Sequence, residues 1–502
     1  MTAIDPGIAR LTDEQVLAAT AEVARLYIEA FPGSGKTTVA AQRFGALRFA
    51  PMSPIGAQID DRSVTAVSFT RSATWELQRR VRQLWGPTAV RWPHRIITLD
   101  TLVHDLVLHL LSTGAIIWPG DHRLLEVHDS WTVLAESSWT FRKCVLRLVG
   151  AQVTCDLEVA EGRSRVGFAS FTQVIAAGRC THEDVRSVLS QAVAQPAMAT
   201  LLIERVRTTI KALIVDEVFD ANELDIAILK LALDAGISVT MIGDPWQALY
   251  AFRGARPDAV PALIKSTNVK SMPLSQSFRW RSDSQLALAR DLRNRCGVSL
   301  SPRSMSPLSE VDVVLACVWK DLWATGAQVL PLAFGSANGT PPEAAATLLL
   351  NHYTRSAFGE NATYVGDALT VLRITEREAL VALSGEFQAI LDILAEPGKP
   401  ALICAYTRLV KAVKLFSPRA FPNIHANYTK RLDQLRPRLG HAGRLIPGLT
   451  IHQAKGREWD CVGVRLTGPE RDQLSDGLDP TQEKHRQLYV ACTRARTRTE
   501  EI

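Results

Sequence analysis

The stretch RLYIEAFPGSGKTTVAAQRFGAL, residues 25–47, leaves the chain few ways to fold. The apolar, partly β-branched run VARLYIEA before the loop reads as a buried strand, and TTVAAQRFGAL after it is rich in helix formers. A strand that turns into a helix around Gly33 and Gly35 points successive backbone N–H groups into one concavity, which suits a polyphosphate. In such a loop Lys36 reaches the terminal phosphates and the Thr37 hydroxyl joins the shell of a Mg²⁺ ion. Ala30, Phe31, Pro32, Gly33, Ser34, Gly35, Lys36, Thr37 and Thr38 are the candidate contacts. Ala30 stands where the pattern has its first glycine. As the last residue on the strand side it needs only to be small, and Phe31-Pro32 stiffen the turn.

A second stretch, KALIVDEVFDAN at 211–222, is an apolar strand ending in paired carboxylates. Two acids at a buried strand end make chemical sense if Asp216 holds the metal and Glu217 polarises an attacking water. Acidic pairs alone are common; one that follows a phosphate loop in the same chain is far more specific.

The remaining composition narrows the class. With 502 residues the chain can form two to four domains, and 47% hydrophobic with 22% charged residues is ordinary for globular proteins. Eight cysteines without a C-x-x-C pair argue against a zinc or iron–sulfur site and for a reducing, cytoplasmic setting. No apolar run reaches the roughly 18 residues that a membrane span needs, so no membrane partner is expected. A net charge of +6 is compatible with nucleic acid and does not demand it.

A third stretch, VTMIGDPWQALYAFRGARPDAV (239–260), resembles motif III of superfamily 1 helicases of the UvrD/Rep/PcrA type, through Gly243, Asp244, Gln247, Leu249, Tyr250, Phe252, Arg253, Gly254 and Ala255. Further stretches are similar to the other motifs in the family's order: LTDEQ (11–15), VTAVSFTRSATWELQRRV (64–81), TLDTLVHDLV (98–107), LSQSFRWRSDS (274–284), LTIHQAKGREWDCVGV (449–464) and RQLYVACTRAR (486–496). ALICAYTRLV (401–410) is similar to the strand after motif IV. The compact form also resembles the helicase-like subunit of Gabija anti-phage systems, whose partner is a nuclease; a DNA-repair or phage-encoded helicase fits the core motifs equally well.

The resemblance implies an α/β fold of two RecA-like P-loop domains with parallel sheets, hydrolysing ATP with Mg²⁺ between them. It implies a single-stranded DNA translocase or helicase of 3′-to-5′ polarity, acting on single strands or on duplexes with a 3′ single-stranded tail. Gln15 would read adenine, Phe278 would stack on it, Glu458 would lie near the ribose, Gln247 would sense the γ-phosphate, and Arg279 and Arg494 would stabilise its transferring charge. Thr38 replaces the family arginine that stacks on the other face of adenine. Phe69, Thr70, Arg71, Tyr250, Phe252 and His452 would contact DNA, the aromatics by stacking that tolerates any base.

Spacing supplies the expected architecture. Domain 1A is expected at 1–104 and 200–272, a helical insertion 1B at 105–199, and domain 2A at 273–502. SWTVLAESSWTFRKCVLRLV (130–149) and EDVRSVLSQAVAQPAMATLLIERVRTTI (183–210) read as helices of 1B. Only 42 residues separate Arg408 from Thr450, so the large 2B domain is expected to be reduced or absent. Residues 296–310 and 333–346 read as Ser/Pro/Gly-rich connections, and 379–398 as a helix with a stop signal. Motif II reads DEVFD, with Phe219 in place of the family glutamine. That substitution and the reduced or absent 2B domain leave a second reading open: a DNA-binding regulatory module that uses ATP as a switch and turns it over little.

Overall fold

The computed structural model describes residues 11–50, 60–135, 137–301, 310–335, 340–375, 378–421 and 426–502. Parts of the two expected Ser/Pro/Gly-rich connections, 302–309 and 336–339, lie outside the described residues. By its internal contacts the chain divides into one unit ending at Arg279 and a second starting at Trp280.

The strands of the first unit are β1 (Arg25–Ala30), β2 (Ser63–Ser68), β3 (Arg95–Thr98), β4 (Glu126–His128), β5 (Ser137–Val149), β6 (Gln152–Val166), β7 (Arg179–Thr181), β8 (Ile210–Asp216), β9 (Ser238–Gly243) and β10 (Lys270–Leu274). Six of them form one sheet in the order β10-β1-β9-β8-β2-β3, every pair parallel. Alternate residues of these strands serve two different cores. Leu26, Ile28, Ala212 and Ile214 pack with the helices Asp13–Thr20, Lys36–Phe49 and Arg71–Trp85 on one face. Tyr27, Leu213 and Val215 pack on the other face with the helices Leu99–Ser112, Pro196–Thr209 and Glu223–Asp234. A strand buried on both faces reads as a continuous apolar run, which is why ALIV and SVTMIG stand out in the sequence. Because β10 pairs with β1 from Leu26↔Lys270 to Ala30↔Leu274, residues 273–279 stay with this unit, a few residues past the boundary expected from the motifs.

The insertion differs from expectation. Residues 183–210 are helical, as the helices His182–Val193 and Pro196–Thr209, with Pro196 starting the second. The segment 130–149 forms only a short helix, Trp131–Leu134, and then strand β5. β5 and β6 make an antiparallel hairpin with Val149 opposite Gln152, closed by Gly150 at φ 59° and Ala151. Two-residue turns of this kind favour a glycine with positive φ. Leu146, Leu148 and Val153 face the core with period two, a pattern that competes with the helical reading and wins because a partner strand follows at once.

The second unit has strands β11 (Val313–Ala316), β12 (Val329–Pro331), β13 (Ile446–Thr450), β14 (Trp459–Val464) and β15 (Ala495–Glu501), in the parallel order β12-β13-β11-β14-β15. Among the described residues between β12 and β13 lie six helices, Pro341–Phe358, Val365–Leu372, Glu378–Ala382, Ser384–Ala395, Lys399–Lys414 and Ala426–Leu439, which share one apolar core. The expected helix in 379–398 is present as two, Glu378–Ala382 and Ser384–Ala395, with a turn at Leu383. ALICAYTRLV is a correction: it belongs to the helix Lys399–Lys414, whose buried Ala405, Tyr406, Leu409, Ala412 and Val413 recur at helical spacing. Arg408 lies in a helix rather than at a strand, and most of the described residues between β12 and β13 are helical.

The β2–β3 edge of the first sheet contains a pH-sensitive bond. The Val64 amide donates to His94 Nδ1 at 3.0 Å, which requires an unprotonated ring nitrogen. Burial first, and then the charges of Arg48 and Lys211, lower the His94 pKa to about 4. An unfolded histidine titrates near ~6.5. The folded state therefore binds fewer protons between these values, and the stability it confers is present above about pH 6.5 and lost as pH falls toward 4. Thermal unfolding of His94→Gln across pH 7 to 4.5 should show a smaller loss of Tm with acid than the unmutated chain.

Candidate nucleotide and nucleic-acid site

The carboxyl ends of β1, β9 and β8 carry the candidate chemistry, and β9 lies between the other two. After β1 the chain makes a tight turn, with Ser34 N–H donating to Phe31 O at 3.1 Å, and enters the helix Lys36–Phe49. Ala30 is fully buried at the strand end, so the small side chain is what this position needs. Gly33 has φ 72°, and a Cβ there would lie 2.6 Å from Arg279 Cβ. The reason is that 277–279 packs along the loop: Ser277 Oγ donates to Pro32 O at 2.7 Å and Phe278 N–H to Gly33 O at 3.0 Å. Gly35, with φ 83°, begins the helix, and a Cβ there would meet Gln15 Nε2 at 2.7 Å.

Lys36 Nζ lies 2.9 Å from Glu217 Oε1. Asp216 is buried at the end of β8, and its Oδ1 accepts the Glu217 N–H at 3.0 Å. Glu217 itself has φ 59°, a left-handed conformation that costs a non-glycine residue about 1 kcal/mol or more and tends to persist at functional sites. It starts a short 3₁₀ turn, Val218–Asp220. After β9, buried Asp244 accepts Gln247 Nε2–H at 2.7 Å and Trp246 N–H at 3.1 Å, orienting the Gln247 amide. Thr37 and Thr38 sit in the first turn of the loop helix, half-buried.

Gln15 is used locally. Its Oε1 accepts Thr12 N–H at 3.1 Å in a capping box, and its Nε2 donates to Ser34 O at 2.9 Å. It thus ties the helix Asp13–Thr20 to the phosphate loop. Phe278 is exposed, and Arg279 is buried against the loop. Arg494 and Glu458 belong to the second unit. There Arg494 Nε donates to Val490 O at 3.2 Å, Glu458 lies 3.5 Å from Arg496 Nε, and His452 is half-buried in the helix Ile451–Ala454.

The DNA candidates separate by geometry. Tyr250 and Phe252 form an edge-on aromatic pair with centroids 5.9 Å apart, and the Arg253 guanidinium lies 5.2 and 5.6 Å from the two rings. Phe252 is 63% exposed, which core packing does not explain. Phe69, in contrast, packs against the core of the first unit. Thr70 Oγ1 accepts Ala73 N–H as the cap of the helix Arg71–Trp85, and exposed Arg71 pairs with Asp129 at 3.0 Å.

Two family descriptions match the chain: "UvrD/REP helicase N-terminal domain" over residues 11–130 and 178–268, and "UvrD-like helicase C-terminal domain" over 448–499. The chain belongs to the UvrD/Rep helicase family. The ATP-dependent DNA helicase UvrD2 of Mycobacterium bovis is 24% identical, with 98% of this chain and 78% of the relative covered. The ATP-dependent DNA helicase Rep of Escherichia coli is 25% identical over 49% of this chain and 38% of its own, and DNA helicase II of the same species 23% over 54% and 39%. The first family match skips 131–177, the stretch that holds the β5–β6 hairpin.

Sequence reasoning missed two arginines here. Arg80 Nη1 donates to Thr38 Oγ1 at 2.8 Å, so a guanidinium from a neighbouring helix stands beside the position that lacks the family arginine. Buried Arg43 donates to Thr240 Oγ1 at 3.1 Å and Ala21 O at 2.6 Å, fastening the loop helix to β9 and to the segment before β1; burial lowers its pKa to about 10. Neither sits in a quoted signature that names its partner, since both partners are distant in sequence.

Phe219 also gains a physical account. It is 4% exposed, meets Tyr27 edge-on at 6.2 Å, and lies where a Cβ on Gly243 would approach its ring to 2.8 Å. It is a core residue that fills the space beside a glycine. Phe219→Gln should therefore destabilise the fold by about 2–4 kcal/mol, through lost packing and a buried amide, while Phe219→Leu costs roughly half as much. Chemical denaturation midpoints would check this.

Proposed function

We propose that this chain is a DNA-dependent ATPase that moves along single-stranded DNA and separates duplexes. The observation that carries the reading is the pairing of Lys36 with Glu217 at 2.9 Å, at the ends of strands that also present Asp216 and Gln247. The glycine-lined loop, one cation and two carboxylates match the donor set that a magnesium–nucleoside triphosphate needs. Backbone N–H groups of 33–37 and Lys36 would hold the phosphates, with Thr37 and Asp216 for the metal. When bound, that group would supply the transferable phosphoryl and the divalent charge that screens it.

The residues then have distinct tasks. In the pair, Lys36 neutralises Glu217 and Glu217 holds Lys36. An anionic phosphate competes for the lysine, and a released Glu217 carboxylate can accept a hydrogen bond from water and orient it. Gln247, fixed by Asp244, is oriented to report on the same end of the sheet. Arg279 and Arg494 are the proposed cations for charge on the transferring group, and Phe278 and Gln15 the proposed adenine contacts. The exposed Phe252, with Tyr250 and Arg253, offers a face on which any base can stack. The motif resemblance extends the proposal to 3′-to-5′ movement. A nuclease partner, as in anti-phage systems, is a further extension that co-purification would test.

The switch reading rests on Phe219 and on a reduced or absent 2B domain; core packing accounts for the Phe219 ring.

Steady-state ATP hydrolysis with and without oligodeoxythymidylate tests the proposal. The unmutated chain should be stimulated by DNA, and Lys36→Ala and Glu217→Gln should each lose roughly 10²-fold or more of the stimulated rate. DNA binding with negligible turnover would instead favour the switch. Phe252→Ala should weaken oligonucleotide binding by about 1–3 kcal/mol in a fluorescence titration, with thermal stability unchanged.

A further inference from the structure

The Arg186 side chain joins parts of the first unit that the proposed reaction must keep in step. From the helix His182–Val193, Nη1 donates to Asp100 Oδ1 at 2.8 Å and Nη2 to Asn222 Oδ1 at 3.0 Å, and the guanidinium also pairs with Asp225. Asp100 lies in the first turn of the helix that follows β3. Asn222 and Asp225 form the capping box of the helix Glu223–Asp234, with Asp225 N–H donating to Asn222 Oδ1 at 3.1 Å and Asn222 N–H to Asp225 Oδ2 at 2.9 Å. One planar cation therefore holds two helix starts, and its fork satisfies acceptors that a point charge could not reach together. Asp225 is only 5% exposed and Arg186 20%, so solvent screens the pair weakly.

The capped segment is also where the aromatic loop meets the acidic strand end. Arg256 N–H donates to Ala221 O at 2.8 Å, and Asn222 bridges to Ala255. Upstream, Ala221 N–H donates to Val218 O at 3.1 Å and Asp220 N–H to Glu217 O at 2.9 Å. A continuous run of main-chain bonds thus leads from the Tyr250–Phe252 loop through Ala221 to Glu217. A displacement of the loop can pass along this run only if the Asn222 end does not yield with it. Arg186 Nη2, together with the capping box, holds the Asn222 side chain.

We propose that Arg186 is a positioning residue that couples nucleic-acid occupancy of the Tyr250–Phe252 loop to the placement of the Glu217 carboxylate. It touches neither nucleotide nor DNA in this account. The proposal rests on the ATPase reading above.

The test is steady-state ATP hydrolysis by the full chain, with and without oligodeoxythymidylate, for Arg186→Lys and Asp100→Ala. The first keeps the charge and loses the fork. The second removes the more exposed arm of the clamp, acceptor and charge together, and leaves Asp225 paired, so it carries the test should Arg186→Lys fail to fold. Expected is a DNA-free rate close to that of the unmutated chain, unchanged oligonucleotide affinity, and stimulation by DNA reduced about tenfold. A folded variant with full stimulation overturns the coupling. Equal losses with and without DNA overturn it as well, because they mark a merely structural role. If the unmutated chain hydrolyses no ATP, the functional reading itself fails and the coupling with it; hydrolysis with undiminished stimulation in the variants removes the coupling alone.

Discussion

The contact between Lys36 and Glu217 depends on strand order more than on either residue. One follows β1 and the other ends β8, and β9 separates the two strands. Parallel neighbours lie about 4.8 Å apart, so the strand ends are roughly 10 Å from each other. The lysine side chain and the left-handed turn at Glu217 close that gap. Had the sheet been wound in another order, the same two motifs would have no common chemistry. Ligands in open parallel sheets gather at carboxyl ends near a switch in strand order, and β1, with β10 on one side and β9 on the other, lies near such a point.

Much of the first unit serves to hold that geometry still. Gln15 braces the loop from one side, Arg43 fastens its helix to β9, and 277–279 lies along Pro32 and Gly33. These are bonds between segments distant in sequence, and they fix a glycine-rich turn that has little intrinsic preference for one conformation. Phe219 and Tyr27 support the same strand ends from the opposite core. The departure from the family glutamine is thereby a change in packing next to the acids, with Gly243 leaving room for the ring.

The nucleic-acid candidates show how a matched position and a suitable environment differ. Phe252 and Phe69 look alike in sequence as lone aromatics in matched motifs. Phe252 presents its ring outward beside Tyr250 and Arg253, whereas Phe69 lies against the core. Thr70 similarly spends its hydroxyl on a helix cap. The loop around Phe252 joins the acidic strand end by main-chain bonds at Ala221 and Asn222, so the exposed aromatic ring and the Glu217 carboxylate are linked through one short segment.

The sequence alone determined the glycine loop and the acidic pair, and the resemblance of its motifs implied the parallel sheets. The first two are local: glycines at a turn and carboxylates at a strand end carry their signal within a dozen residues. It misled for 130–149, where an alternating pattern resembles a helix until its partner strand is known, and for 401–410, where an apolar run serves a helix among five others. Only the tertiary structure decided that Arg80 stands beside Thr38, that Phe219 fills a core and that Arg186 clamps two helix starts. Each depends on which distant segment packs alongside, and that is set by the folding of the whole sheet and its helices rather than by any local preference.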